Sequence, residues 1–224
     1  MELKELTDKT LELFGVTSPD RLGTALLAAC GNPDKLRTFR ELVDGDLSVD
    51  WMQKIYQYYL ADRKEKKQDY TPASLAQFMG LLAGNSERIV DMCAGSGALI
   101  IQKWNQNHDI RFTALEIDGN VIPFLLFNMV LRNIRCRVFQ MDALTGENAV
   151  KAWDIMKGGE FALTVDGNWC REKQRSWLHR WHGKDTPELI ELKKQYRQMF
   201  GYSPDGEVYP MVTVNDIFRI SKNP

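Results

Sequence analysis

One segment constrains the fold more than any other: Asp91-Met92-Cys93-Ala94-Gly95-Ser96-Gly97, set between apolar Ile89-Val90 and Ala98-Leu99-Ile100-Ile101. An apolar run, a tight glycine turn and a second apolar run predict a strand, a turn and a helix in succession. Gly95 and Gly97 allow backbone conformations that a side chain obstructs, and they let a ligand lie almost against the main chain. The dinucleotide fingerprint needs a third glycine three positions after Gly97, where this chain has Ile100, so the helix-strand approach of NAD folds is not encoded. An acid stands instead at the strand tip, four residues before Gly95. Asp91 repels a pyrophosphate and attracts an ammonium, which favours a methionine-bearing nucleoside over a dinucleotide, although glycine turns of this kind serve several nucleotide ligands.

Two further strand candidates end in acids. Arg111 to Asp118 places Glu116 where a carboxylate can accept the hydrogens of a ribose diol, and Cys136 to Met141 ends at Asp142, an acceptor for an adenine amino group. Each acid alone is also an ordinary strand-end or turn residue. Together they suit an open α/β sheet, which binds ligands at the carboxyl edge of its parallel strands. The expectation is a Rossmann-like, doubly wound α/β sheet.

Gln68-Asp69-Tyr70-Thr71-Pro72, the Asp91 to Gly97 turn, Glu116, and Asn128-Met129-Val130-Leu131-Arg132-Asn133-Ile134 together resemble the modification subunit of type I restriction systems, a DNA adenine methyltransferase. The resemblance covers about residues 50 to 170. It implies S-adenosylmethionine as cofactor, held by Tyr70, Thr71, Asp91, Gly95, Ser96, Gly97, Glu116, Ile117, Asp142 and Ala143. It also implies DNA as partner and leaves room for a separate specificity subunit, since too few residues remain beyond it to recognise a target sequence. Thr71-Pro72 has a plainer reading as a helix start.

The family's catalytic tetrapeptide is Asn or Asp, Pro, Pro, then Tyr or Phe, after the fourth strand. Here the strand candidate Phe161 to Val165 ends in Asp166-Gly167-Asn168-Trp169, keeping the two ends and losing the middle. By the resemblance, Asp166 accepts hydrogen bonds from the target amine and Trp169 stacks on the extruded base. Asp-Gly-Asn is equally a turn composition, and Trp169 suits a core. Three functions stand as alternatives: an adenine-specific DNA methyltransferase; an inactive donor-binding subunit of a DNA-acting complex; a methyltransferase for RNA, protein or a small molecule.

The first 66 residues predict a helical lead, with starts or stops at Gly15, Ser18-Pro19, Asn32-Pro33 and Ser48-Val49-Asp50, ahead of a methyltransferase-like domain over 67–224. A formal charge of -1 excludes a protein that coats nucleic acid by bulk electrostatics. Local cationic runs remain, at Arg63 to Lys67 and from Arg171 to Lys184, the latter interleaved with Trp177 and Trp181; either composition can meet phosphates or form a solvated helix face. Four scattered cysteines, Cys30, Cys93, Cys136 and Cys170, read as reduced thiols of a cytoplasmic protein. His179 and His182 have no third ligand nearby, so no metal is expected. No membrane segment or signal peptide is expected either. Beyond Trp169, a helix over about 186–200 and a strand around 211–214 are expected.

Overall fold

The computed structural model describes residues 2–60, 71–144 and 149–167, with side chains through 164. Tyr70, Asn168, Trp169, both cationic runs, the two late histidines and the expected helix and strand near the end of the chain lie outside the described residues. The chain divides into two compact units, 1–143 with 149–168, and 144–148 with 169–224. The first holds all the described helices and strands.

Four helices lead, and their ends are written locally. Helix α1 (Leu3–Phe14) stops at Gly15, which takes the left-handed conformation at φ 71, the usual way a helix terminates. A short 3-10 turn (Pro19–Arg21) runs into α2 (Leu22–Ala29). Helix α3 (Pro33–Leu42) is capped by Asn32, whose side chain accepts from the backbone N–H of Lys35, and α4 (Trp51–Tyr59) by Asp50, which accepts from that of Gln53.

These helices share one apolar cluster with the sheet domain. Phe14, Phe39 and Phe127 meet pairwise at 5.2 to 6.1 Å between ring centroids, and Tyr56 packs edge-on against Phe124 at 4.9 Å. Such pairs are each worth about 0.5–1.5 kcal/mol beyond area burial. Phe124 and Phe127 belong to α7 (Ile122–Leu131), in which every residue is buried. Helix α7 is apolar all round, which suits a helix covered on every side.

The remaining elements are α5 (Ala73–Leu82), β1 (Arg88–Asp91), α6 (Ala98–Trp104), β2 (Arg111–Glu116), β3 (Cys136–Gln140), β4 (Lys151–Met156) and β5 (Leu163–Gly167). The five strands stand in sequence order. Strands β1, β2 and β3 are mutually parallel, with Asp91 opposite Ala114 and Glu116 opposite Gln140. The α/β class is as expected, with β1-α6-β2-α7-β3 forming a Rossmann-type run.

Two details of the described α/β sheet carry no signal in the sequence. The order contains no reversal among the described strands, so right-handed crossovers carry α6 and α7 to the same face. An additional strand, β4, pairs antiparallel with β3, and β5 pairs antiparallel with β4. Two reversals restore direction. Strand β5 therefore runs the same way as β1 to β3, and its carboxyl end reaches the same edge.

Candidate functional site

The glycine turn is shaped by its neighbours. Gly95 and Gly97 sit at φ 54 and 98, and a Cβ on Gly97 would fall 2.8 Å from Met129 Cε and 3.0 Å from Leu125 Cδ1. Glycine at 97 thus serves both the left-handed turn and the close approach of α7. The turn is tied to β2, because the Ala94 N–H donates to the Leu115 carbonyl at 2.9 Å. Beyond it, the Gly95 N–H donates to Glu116 Oε2 at 2.8 Å. The other oxygen of Glu116 accepts from the Asp118 N–H at 2.8 Å.

A cleft opens over this turn, lined by Thr71, Cys93, Gly95, Ser96, Glu116, Val121 and Gln53 among others. Glu116 still has lone pairs to offer a ligand, since a carboxylate has about four acceptor sites. Asp91 is 9% exposed. Its Oδ1 accepts from the Cys93 N–H at 3.2 Å, while its buried Oδ2 has no hydrogen-bond partner. Burial pushes Asp91 up to about 6, with the charge of Glu116 acting in the same direction. An unpartnered carboxylate oxygen in such surroundings favours a cation.

Asp142 joins the same edge. The Met141 N–H donates to the Glu116 carbonyl at 3.0 Å, which draws the end of β3 beside that of β2. Burial first, and then the charges of Asp91, Glu116 and Asp142, raise the Cys93 thiol. Ala143 is half-buried and Ile117 is 63% exposed at the end of β2. Asp166 is less close. Strand β5 stands four places from β1, roughly 19 Å at ordinary strand spacing, on the shared edge but not beside the glycine turn.

Residues 47–156 match the N-6 DNA methylase family. That segment belongs to the N-6 DNA methylase family. S-adenosylmethionine is the cofactor of such a domain, and the residues present fit it, above all the orphaned oxygen of Asp91 for an ammonium. The family segment includes Asp50 and α4 at its start and ends before β5, so Asp166 and Trp169 fall beyond it. A putative class I S-adenosylmethionine-dependent methyltransferase from Listeria monocytogenes is similar over 65% of this chain at 14% identity, with a TM-score of 0.39. The chain spans 55% of that protein's length. No curated protein shows a significant sequence match to the chain.

One contributor to the site carries no local sequence signal. Gln53 reaches the cleft from α4, and its Nε2 donates to the Thr71 carbonyl at 3.2 Å. Asn128 and Asn133 give the family's Asn-bearing helix a physical meaning. Asn128 is buried behind the glycine turn and donates to the Ser96 carbonyl at 2.8 Å. Asn133, left-handed at φ 54, holds the β4–β5 turn: its Oδ1 accepts from the Gly158 N–H at 2.9 Å and its Nδ2 donates to the Gly159 carbonyl at 3.1 Å. Among the described residues, no group of three His, Cys, Asp or Glu could hold a metal, and no helix is long and apolar enough to cross a membrane.

Proposed function

We propose that this chain is an S-adenosylmethionine-dependent methyltransferase acting on the exocyclic amino group of adenine in DNA, related to the modification subunits of type I restriction systems. The observation that carries the reading is the cleft over the glycine turn, lined by Thr71, Gly95, Ser96 and Glu116, together with the unpartnered buried oxygen of Asp91 at the start of that turn. Bound there, S-adenosylmethionine would supply an electrophilic methyl group on a sulfonium centre. Glu116 would accept hydrogen bonds from the ribose hydroxyls, Asp91 would pair with the ammonium and Asp142 would accept from the adenine amine, with Tyr70, Thr71, Ser96, Ile117 and Ala143 as further contacts to the donor. The glycine turn lets the ligand approach the main chain.

In the transfer itself, Asp166 accepts hydrogen bonds from the target amine, whose lone pair is otherwise delocalised into the ring. Trp169 stacks on the extruded base, which offsets part of the few kcal/mol that unstacking costs. Sequence choice comes from a separate specificity subunit, in a cytoplasmic complex. An RNA, protein or small-molecule amine is the alternative substrate class.

A second reading is a donor-binding subunit without transfer activity, which scaffolds or regulates a DNA-acting complex. Two observations favour it: Gly167-Asn168 replaces the stiff Pro-Pro pair, and β5 stands four strand places from the glycine turn. A misplacement of ~1 Å at a reacting centre costs on the order of a hundredfold in rate.

Incubation with labelled donor and adenine-containing DNA, followed by nucleoside analysis, tests both. Label in N6-methyladenine supports the first reading. Donor binding without transfer to DNA, alone or with a specificity subunit, leaves the second, and failure to bind donor overturns both.

A further inference from the structure

We propose that Asp50 is a positioning residue of the methyl-donor site, holding the glycine turn from behind through Ser96 and setting Gln53 at the cleft through the start of α4. The inference rests on the donor-binding reading above and adds to it a role for the helical lead.

The turn has an anchoring problem. Gly95 and Gly97 flank Ser96 at positive φ, and neither has a side chain with which to fix the loop. Ser96 is the residue between them, and it is 1% exposed. Its hydroxyl donates to Asp50 Oδ2 at 2.7 Å, and its carbonyl accepts from Asn128 Nδ2. The turn is thus gripped at its centre by both side chain and main chain.

Asp50 is suited to this grip in a way that a neutral residue is not. One oxygen accepts from Ser96; the other accepts from Asn128 Nδ2 at 2.8 Å and from the Gln53 N–H at 2.8 Å. Three elements, the turn, α7 and α4, converge on a single carboxylate that is 6% exposed. An asparagine offers only one acceptor atom for the same three donors.

The charge has a counterpart. Arg132, 3% exposed, donates from Nη1 to Asn128 Oδ1 at 2.8 Å, from Nε to the Leu47 carbonyl at 2.8 Å and from Nη2 to the Val49 carbonyl at 2.7 Å. Asn128 therefore stands between the two ions, with its amide orientation fixed by both. Arg132 also holds the backbone that leads into Asp50. A buried ionic network of this kind is often no more stabilising than a well-packed apolar core. Its particular product here is geometry: one rigid connection from residues 47–53 to the turn and the cleft.

Calorimetric titration with S-adenosylmethionine of the full chain and of Asp50→Asn, Ser96→Ala and the double variant tests the proposal, with circular dichroism and thermal melting on each. We expect each single variant to weaken donor binding by about tenfold, the scale of one lost charged hydrogen bond, and the double variant to be no weaker than the worse single one. A lowered melting temperature with donor affinity within twofold of the unaltered chain marks a merely structural residue and overturns the proposal. Multiplying effects in the double variant also overturn it, because Asp50 would then not act through Ser96. Absence of donor binding by the unaltered chain overturns the donor-site reading and this inference with it. If Asp50→Asn does not fold, Ser96→Ala decides: a change of twofold or less overturns the proposal, and a loss of about tenfold or more supports it.

Discussion

The carboxylate of Glu116, at the end of β2, accepts the Gly95 N–H at 2.8 Å and so joins the turn after β1 to the neighbouring strand. Replacing it by glutamine sets an amide NH2 against one of the two N–H groups that its oxygens now accept. Glu116→Gln is expected to cost about 1 kcal/mol of stability, the scale of a lost hydrogen bond at a part-buried position, and to weaken donor binding at least about tenfold. Urea unfolding and calorimetry measure the two effects. Unchanged donor affinity would remove Glu116 from the ribose.

Gly97→Ala forces a Cβ into a left-handed turn and against the side chains of Met129 and Leu125. The ends of those side chains can shift, but the backbone cannot escape its φ of 98, so a loss of about 1–3 kcal/mol is expected. Gly31→Ala is the control. It has open space and no positive φ, so a change within about 0.5 kcal/mol is expected.

Donor affinity should depend on pH through Asp91. Burial lifts its pKa to about 6, above the unfolded value near 4. Folding without ligand therefore takes up a proton between those values. The stability contributed by the protonated form is fully present below about 4 and is lost as pH rises through 6. An ammonium needs the ionised form, so affinity should rise between pH 5 and 7 and then level off. Asp91→Asn should flatten the profile. Titration across pH 5 to 8 checks this, and a flat profile for the unaltered chain would separate Asp91 from the cation.

Asn133 combines an unusual backbone with a specific contact, and two substitutions separate them. Asn133→Gly keeps the left-handed residue and loses the hold on the β4–β5 turn, at a cost of about 1 kcal/mol. Asn133→Ala loses both, at a cost of about 2 kcal/mol. Equilibrium unfolding gives the totals, and amide exchange over residues 151–156 should quicken in both. Equal stability of the two variants would show that backbone strain contributes nothing.

The parts of the fold legible in the sequence are local. Asn32 and Asp50 announce helices because a cap and the N–H it accepts are three residues apart, and Gly15 announces a stop for the same kind of reason. The glycine turn and the acids at the ends of β1, β2 and β3 are equally readable, because parallel register sets those strand ends along one edge of the sheet. Strand β4 is not. Ala152 and Trp153 are adjacent and both buried, so the strand is covered on both faces and lacks the alternation by which half-buried strands are read. The turn after it does carry a cue, since a Cβ on Gly158 would lie 2.2 Å from the Phe161 carbonyl oxygen.

The network behind the turn is illegible for a different reason. Ser96 and Asn128 lie 46 and 78 positions from Asp50, and no periodicity or spacing rule connects residues so far apart. Gln53 is hidden in the same way. Its place on α4 comes from the Asp50 cap, but its arrival at the cleft depends on tertiary packing alone.

The hairpin-connected strands β4 and β5, which follow β3, obey a parity rule. Inserting two antiparallel strands displaces the rest of the chain sideways along the sheet and leaves its polarity intact, whereas inserting one would deliver Asp166 to the opposite rim. Lineages of this domain can therefore lengthen or shorten here only in even steps if the carboxyl end of the last strand is to stay on the edge shared by β1 to β3.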